Sequence, residues 1–358
     1  MKIELLGNAK TIISNPESYH NYFAWPTVTK LQNGRIAVVC SGYRVGHICP
    51  FGKAVIAFSD DLGETYTSPS PVIDTVLDDR DAGILAFGDS NVLVTSFNID
   101  WNTYLKGGYE EWYSPYEKYV EAYVNMISDE TVETEKASRF CISNDYGVTF
   151  GPKYRAPITS PHGPIALKDG SILWVGTNYC SGQDNVISAY KIYSDGKTEF
   201  LGRIEDCYEG DQKLDFCEPC AIELEDGTIL CHIRTHLPGD MTIYQSKSID
   251  GGRTWSKPYR ILETKRSAPA HLMRSSSGML ISSYGFRGMP SGIRVMFSKD
   301  EGETWDTENI LFETETSKDI GYPATIELPN GEFLTVFYAH EVKGGPAVIM
   351  QQKWKFSE

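Results

Sequence analysis

The chain has no run of about 18 consecutive apolar residues, so nothing in it reads as a membrane-spanning helix. Its opening stretch, MKIELLGNAKTIIS, lacks the apolar core of a secretory leader, and a cytoplasmic location is the expectation. Basic charge is scarce: 33 Lys and Arg stand against 48 Asp and Glu, a net charge of −15. That balance argues against nucleic acid and anionic membrane as partners. Cysteine is thin as well. The eight cysteines are scattered through apolar runs of a 358-residue chain, which fits buried, reduced thiols better than a disulfide framework. Cys217 and Cys220 form a CxxC, but no second CxxC or CxxH follows at ligand spacing, so neither a metal nor another cofactor is expected.

What the chain has is repetition. Apolar, β-prone runs turn at Gly34, near Ser90, and at Gly170, Gly227, Gly278 and Gly331, at intervals of 56, 80, 57, 51 and 53 residues. Alternating runs joined by Asn-Gly or Asp-Gly read as hairpins, and a period near 50 residues marks four-stranded units. Six turns predict an all-β fold, a six-bladed β-propeller spanning residues 1–358 as one domain. The long second interval holds an insertion, about residues 106–136, acidic and tyrosine-rich, with spacing for one or two helices. It is expected to cover a groove on the propeller flank; a lid or a contact between two copies of the chain is the alternative.

A second motif, S-x-D-x-G-x-T-[W/Y/F], recurs as SDDLGETY from Ser59, SNDYGVTF from Ser143, SIDGGRTW from Ser248 and SKDEGETW from Ser298. Its Ser and Asp can satisfy the backbone of a tight turn, its Gly supplies positive φ, and its aromatic can tuck between sheets. It resembles the Asp-box of bacterial neuraminidase repeats, whose place on the outer turn between third and fourth strands makes these aspartates structural.

In a propeller the first strand of each blade begins near the axis, about eight residues before its turn. Those positions are Trp25, Asp81, His162, Glu218, His271 and Tyr322. The second strands end on the same face at Arg44, Asn98, Asn178, Arg234, Arg287 and Tyr338, with His47, His236 and His340 just beyond. A ring of His, Asp, Glu, Arg and Tyr around a funnel suits a polar, anionic ligand. Glu218 and Tyr322 sit at the same offset from their turns, nine residues ahead of Gly227 and Gly331, so they should face each other across the funnel mouth.

Over nearly its whole length the chain resembles the sialidase (neuraminidase) superfamily of BNR/Asp-box repeat proteins, glycoside hydrolases on six-bladed propellers. The segment CEPCAIELEDGTILCHIRTH is similar to the family's N-E-S-x-x-x-E-L-x-D-G-x-L…R stretch, which implies Glu218 as the catalytic glutamate and Arg234 as a carboxylate-binding arginine. GYPATIELPNGEFLTVFY is similar to the Y-S-x-L…L-x-D-G stretch and implies Tyr322 as nucleophile; Arg287, with Arg294 as runner-up, matches a further arginine. Two departures stand out. Where the family has F/Y-R-I-P this chain reads Phe23-Ala24-Trp25-Pro26, without the first arginine, and the following loop offers Arg44 and His47 in place of an aspartate in register.

The reading is therefore a sialidase-like, tyrosine-based retaining exo-glycosidase that releases an acidic sugar. Tyr322 attacks, Glu218 takes its proton, and His47 or Asp81 protonates the leaving oxygen. Arg234, Arg287 and Arg44 bind the carboxylate, and His162, His271 and Trp25 line the ligand. Two alternatives remain at this point: a lyase acting on a uronate through a His/Tyr pair, and a non-catalytic carbohydrate-binding propeller.

Overall fold

The structure is a computed structural model, and it describes residues 1–106, 117–178, 186–236 and 241–357. Six antiparallel sheets of four or five strands follow one another along the chain, and the first strands of consecutive blades touch around a ring, except that blade three meets the first strand of blade four through its second strand. The blades open with strands Tyr22–Lys30, Asp78–Phe87, Ile165–Ala166, Phe216–Glu223, Ser267–Arg274 and Gly321–Glu327, each hydrogen-bonded to the strand that follows it. Blade six is completed from the other end of the sequence: Lys2–Leu5 and Lys10–Ile13 both pair with Ala347–Ser357. The expected six-bladed all-β propeller is what forms.

The predicted turns join first and second strands, and their glycines are obligatory. Gly34, Gly170, Gly227, Gly278 and Gly331 all have φ between 79° and 88°, a region closed to most side chains. The turn in blade two uses Gly88 at φ 56° instead. The four Asp-boxes connect third to fourth strands in blades one, two, four and five. In the last of them the Asp300 carboxylate accepts the Thr304 amide at 2.9 Å and hydroxyl at 2.6 Å, while Ser298 accepts the Gly302 amide at 2.8 Å. Each box aromatic then reaches the preceding blade. Tyr66 of blade one donates to Gln351 of blade six at 2.8 Å, and Trp305 of blade five donates to Gln245 of blade four at 3.0 Å.

The insertion lies between the second and third strands of blade two and starts earlier than expected, at Trp101. It contains helices α1 (Trp101–Lys106), α2 (Glu117–Val124) and α3 (Asp129–Glu135). Residues 107–116 of the expected 106–136 insertion lie outside the described residues. Trp101 and Val120 pack with Val45, Ile48 and Cys49 from the blade-one loop, and Tyr119 stacks on Phe51 with ring centroids 4.9 Å apart. The helices therefore brace the loop that carries His47. Cys217, Cys220 and the five other described cysteines are buried with free thiols; Cys180 lies outside the described residues.

Candidate active site

Five first strands break at the same place. Their pairing registers shift between Ala24 and Thr27, Arg80 and Gly83, Cys217 and Cys220, Ser267 and Ala270, and Gly321 and Ala324. The bulged residues Trp25, Asp81, Glu218 and Tyr322 have φ of 54°, 46°, 52° and 50°. Left-handed geometry costs a bulky residue of order 1–3 kcal/mol and survives only where its surroundings hold it in place. A bulge turns one residue out of the pleat. Here it carries Glu218 of blade four and Tyr322 of blade six into contact with each other across the axis.

The Tyr322 hydroxyl donates to Glu218 Oε1, and Arg234 Nη1 donates to Glu218 Oε2 at 2.5 Å. Burial alone would raise the Glu218 carboxyl, but Arg234 and the Tyr322 hydrogen bond outweigh it and leave the group below its ordinary value. Tyr322 moves the other way. Burial, then the Glu218 and Asp81 charges, push its phenol well above 10. An ionised acceptor is thus fixed on a protonated phenol, the arrangement in which a tyrosine can lose its proton as it attacks. Among the described residues Arg234 is not fully used: Nη2 meets Met241 Sδ, at 3.2 Å, and the buried Nε has no partner. Arg287 donates through Nε to the Ile320 carbonyl at 3.1 Å and through Nη2 to Tyr338 at 2.9 Å, with its guanidinium 5.9 Å from the Tyr322 ring centroid.

Asp81 belongs to the same cluster. Burial pushes its carboxyl up to about 7, with Arg80 opposing and Glu218 reinforcing the rise. His47 contacts the Trp25 ring edge-on at 5.1 Å, and burial holds the imidazole below its ordinary value.

Two expected ligand contacts are corrected. Arg44 is 0% exposed, its fork taken by Asp78, with Nη2 to Oδ2 at 2.9 Å, and by the Ser41 hydroxyl and the Gly46 and His47 carbonyls. It is a structural arginine. Trp25 is 1% exposed, with the guanidiniums of Arg80 and Arg44 over its ring at 3.9 and 4.8 Å, so it is a buried platform for these cations and not a surface for a sugar. His271 sits past the bulge of its strand, which falls between Ser267 and Ala270, and His162 precedes the short first strand of blade three, Ile165–Ala166. They face each other with ring centroids 5.1 Å apart; His162 Nδ1 lies 3.2 Å from Thr27 and His271 Nδ1 accepts the Thr325 amide at 3.3 Å. They form a pair separate from Tyr322 and Glu218.

Two residues went unread in the sequence. Arg80 covers Trp25, and Asp319, ahead of blade six, gathers Tyr22, His47, Tyr338 and His340. A signal for the bulges existed: a proline lies within the shifted stretch in Trp25-Pro26, Glu218-Pro219, Ala268-Pro269 and Tyr322-Pro323. Proline has no amide to give the ladder, so it tolerates a bulge where an ordinary residue would lose a hydrogen bond. A cavity of about 1010 Å³ lies off the axis, against helix α2 and lined by His20, Phe51, Lys53, Tyr119 and Arg139. It shares none of the Tyr322 cluster.

The BNR repeat-like domain model matches residues 115–335. Among solved structures, a protein of unknown function from Dyadobacter fermentans is similar at 21% identity and TM-score 0.77, with 99% of each chain covered. The NanB sialidase of Streptococcus pneumoniae is similar at 15% identity and TM-score 0.67, over 99% of this chain and 71% of that one. An α-L-arabinanase of Penicillium chrysogenum, solved with arabinobiose, is similar at 13% identity and TM-score 0.64, over 99% and 98%. No curated protein sequence matches the chain.

Proposed function

The chain belongs to the BNR repeat-like domain family, and from that premise we propose that it is a retaining glycosidase that releases an acidic sugar from a glycan. The observation that carries the proposal is the contact between Tyr322 and Glu218, with Arg234 on the far oxygen of the carboxylate. A phenol at its ordinary pKa near 10 is a weak nucleophile. As Tyr322 approaches the anomeric carbon, its proton passes to Glu218 and the phenolate oxygen forms the new bond. A phenol also avoids setting a carboxylate nucleophile against an anionic sugar.

Arg234 and Arg287 hold the sugar carboxylate. The Nε of Arg234, without a partner among the described residues, and its weak sulfur contact leave donors for a ligand, and a guanidinium fork matches a carboxylate. Asp81, with a carboxyl near 7, delivers the proton to the leaving oxygen. Likeness in fold to a sialidase supports a sugar-processing propeller. Ala24 in place of the first-blade arginine favours an acidic sugar other than a sialic acid.

The test is incubation with a panel of acidic oligosaccharides. The proposal expects a free reducing monosaccharide whose anomeric configuration, when first formed, is that of the substrate. An unsaturated product absorbing in the ultraviolet would assign a lyase. Binding with no product would assign a carbohydrate-binding propeller.

A further inference from the structure

Asp319 lies on the loop entering blade six, its side chain 9% exposed. Four side chains converge on its carboxylate. The Tyr22 and Tyr338 hydroxyls donate at 2.5 and 2.8 Å, His47 Nδ1 stands 3.1 Å from both oxygens, and His340 Nε2 stands 3.2 Å from one. A carboxylate this buried is costly unless its lone pairs are filled, and here every filling group carries a titratable proton.

Proton accounting fixes the tautomer of His47. Tyr22 has one hydroxyl proton and two acceptors within reach, His47 Nδ1 at 3.0 Å and Asp319 at 2.5 Å, and the shorter bond to the carboxylate takes it. An unprotonated Nδ1 would set its lone pair against two carboxylate oxygens, so the hydrogen resides on Nδ1 and the basic lone pair on Nε2. The groups that bear on this ring are Asp319, Tyr22, the edge-on Trp25 and the cations Arg80 and Arg287; burial first, then those cations, keep the imidazole neutral. His340 differs. Its Nδ1 faces the Gly345 carbonyl at 2.7 Å and its Nε2 faces Asp319, both acceptors only. Burial works against a charge there, but the bond to Asp319 outweighs it and raises the imidazole above its ordinary value.

The same accounting reaches Arg287. Tyr338 gives its proton to Asp319, so its oxygen accepts from Arg287 Nη2 at 2.9 Å. We propose that Asp319 is a positioning residue of this site: it fixes His47 as the Nδ1–H tautomer, so that Nε2 is the nitrogen that accepts a proton, and through Tyr338 it orients Arg287. In the glycosidase, His47 Nε2 then takes a proton from the water that releases the sugar from Tyr322. Tyr322 recovers its own proton from Glu218, and the His47 proton passes through solvent to Asp81, which lost its own to the leaving oxygen. That role rests on the function proposed above; the tautomer does not.

The test is a long-range ¹⁵N–¹H correlation spectrum of the histidine-labelled protein at neutral pH without ligand, with His47 assigned by its loss in His47→Gln. The expected His47 signal has a protonated Nδ1 and a pyridine-like Nε2. In Asp319→Asn the carboxamide can donate to Nδ1, and the ring should change to the Nε2–H form. Turnover of an acidic glycoside by that variant should fall on the order of 100-fold, the scale of a lost proton-transfer group. An Nε2–H ring in the parent protein overturns the proposal, and so does an unchanged tautomer or unchanged turnover in Asp319→Asn. If that variant does not fold, the parent spectrum decides alone. If the parent cleaves no acidic glycoside, the glycosidase reading fails while the spectrum still judges the tautomer.

Discussion

Glu218 and Asp81 are both buried carboxyls at the same bulge position of their strands, yet their protons behave oppositely. Burial raises each. At Glu218 the Arg234 guanidinium reverses the effect; at Asp81 the Arg80 charge is too weak to do so, and the Glu218 charge adds to the rise. Two carboxyls with separated pKa values are the means by which one site holds a base and an acid together. The pH dependence follows. If Asp81 is the proton donor, kcat/KM should fall as pH rises through about 7, and Asp81→Asn should abolish that limb with most of the activity. The linked effect on stability has a definite sign. Between the unfolded carboxyl value, about 3.9, and about 7, the folded protein binds the extra proton, so stability falls with rising pH across that window and levels above it. Asp81→Asn, permanently neutral, should therefore unfold at a higher temperature than the parent at pH 8. Equal melting temperatures at that pH would show that Asp81 carries no such penalty.

Strand and turn are where the sequence was most legible. Six turn signals placed six blades, and the Asp-boxes fall on the outer turns because their hydrogen bonds are local and leave a fixed motif. Asp300 shows how much one box contributes: Asp300→Ala removes the acceptor of the Thr304 amide, the Thr304 hydroxyl and the Ser298 hydroxyl. A loss of about 1–2 kcal/mol in a denaturant titration is expected, with activity per folded molecule unchanged. No change in the midpoint would mean the turn is held by its glycine and aromatic alone. Less legible was whatever depends on a shift of one residue. Counting back from a turn finds Glu218, Tyr322, Trp25 and Asp81, but it lands on His271, past the bulge between Ser267 and Ala270, and on His162, ahead of a first strand only two residues long. Arg44 was misplaced for another reason. Its position at the end of a strand was legible, but whether a guanidinium faces the funnel or Asp78 depends on the packing of the blade-one loop. Asp319 sits on a loop with no turn to count from, and its partners come from three distant segments.

At the scale of the whole molecule, the site exists because the ring closes. Tyr322 and Glu218 lie 104 residues apart in the chain, on blades four and six, and Tyr22, which completes the Asp319 cluster, lies 297 residues from that aspartate. The strands at the start of the chain pair with Ala347–Ser357 and hold blade six against blade one. Two carboxylates, Glu218 and Asp319, then divide the funnel, each accepting from a tyrosine of blade six, with Arg287 close to both tyrosines. The central claim is that the first of these pairs performs the chemistry. A double-mutant cycle on an acidic glycoside that the parent cleaves tests it most directly. Tyr322→Phe and Glu218→Gln should each reduce turnover on the order of 100-fold or more, and the double variant should be scarcely slower than either, because the two groups act as one unit. Tyr322→Phe should also keep its folding stability within about 1–2 kcal/mol, since only one hydroxyl is lost. A Tyr322→Phe protein with near-native turnover, or losses that multiply in the double variant, would contradict the account.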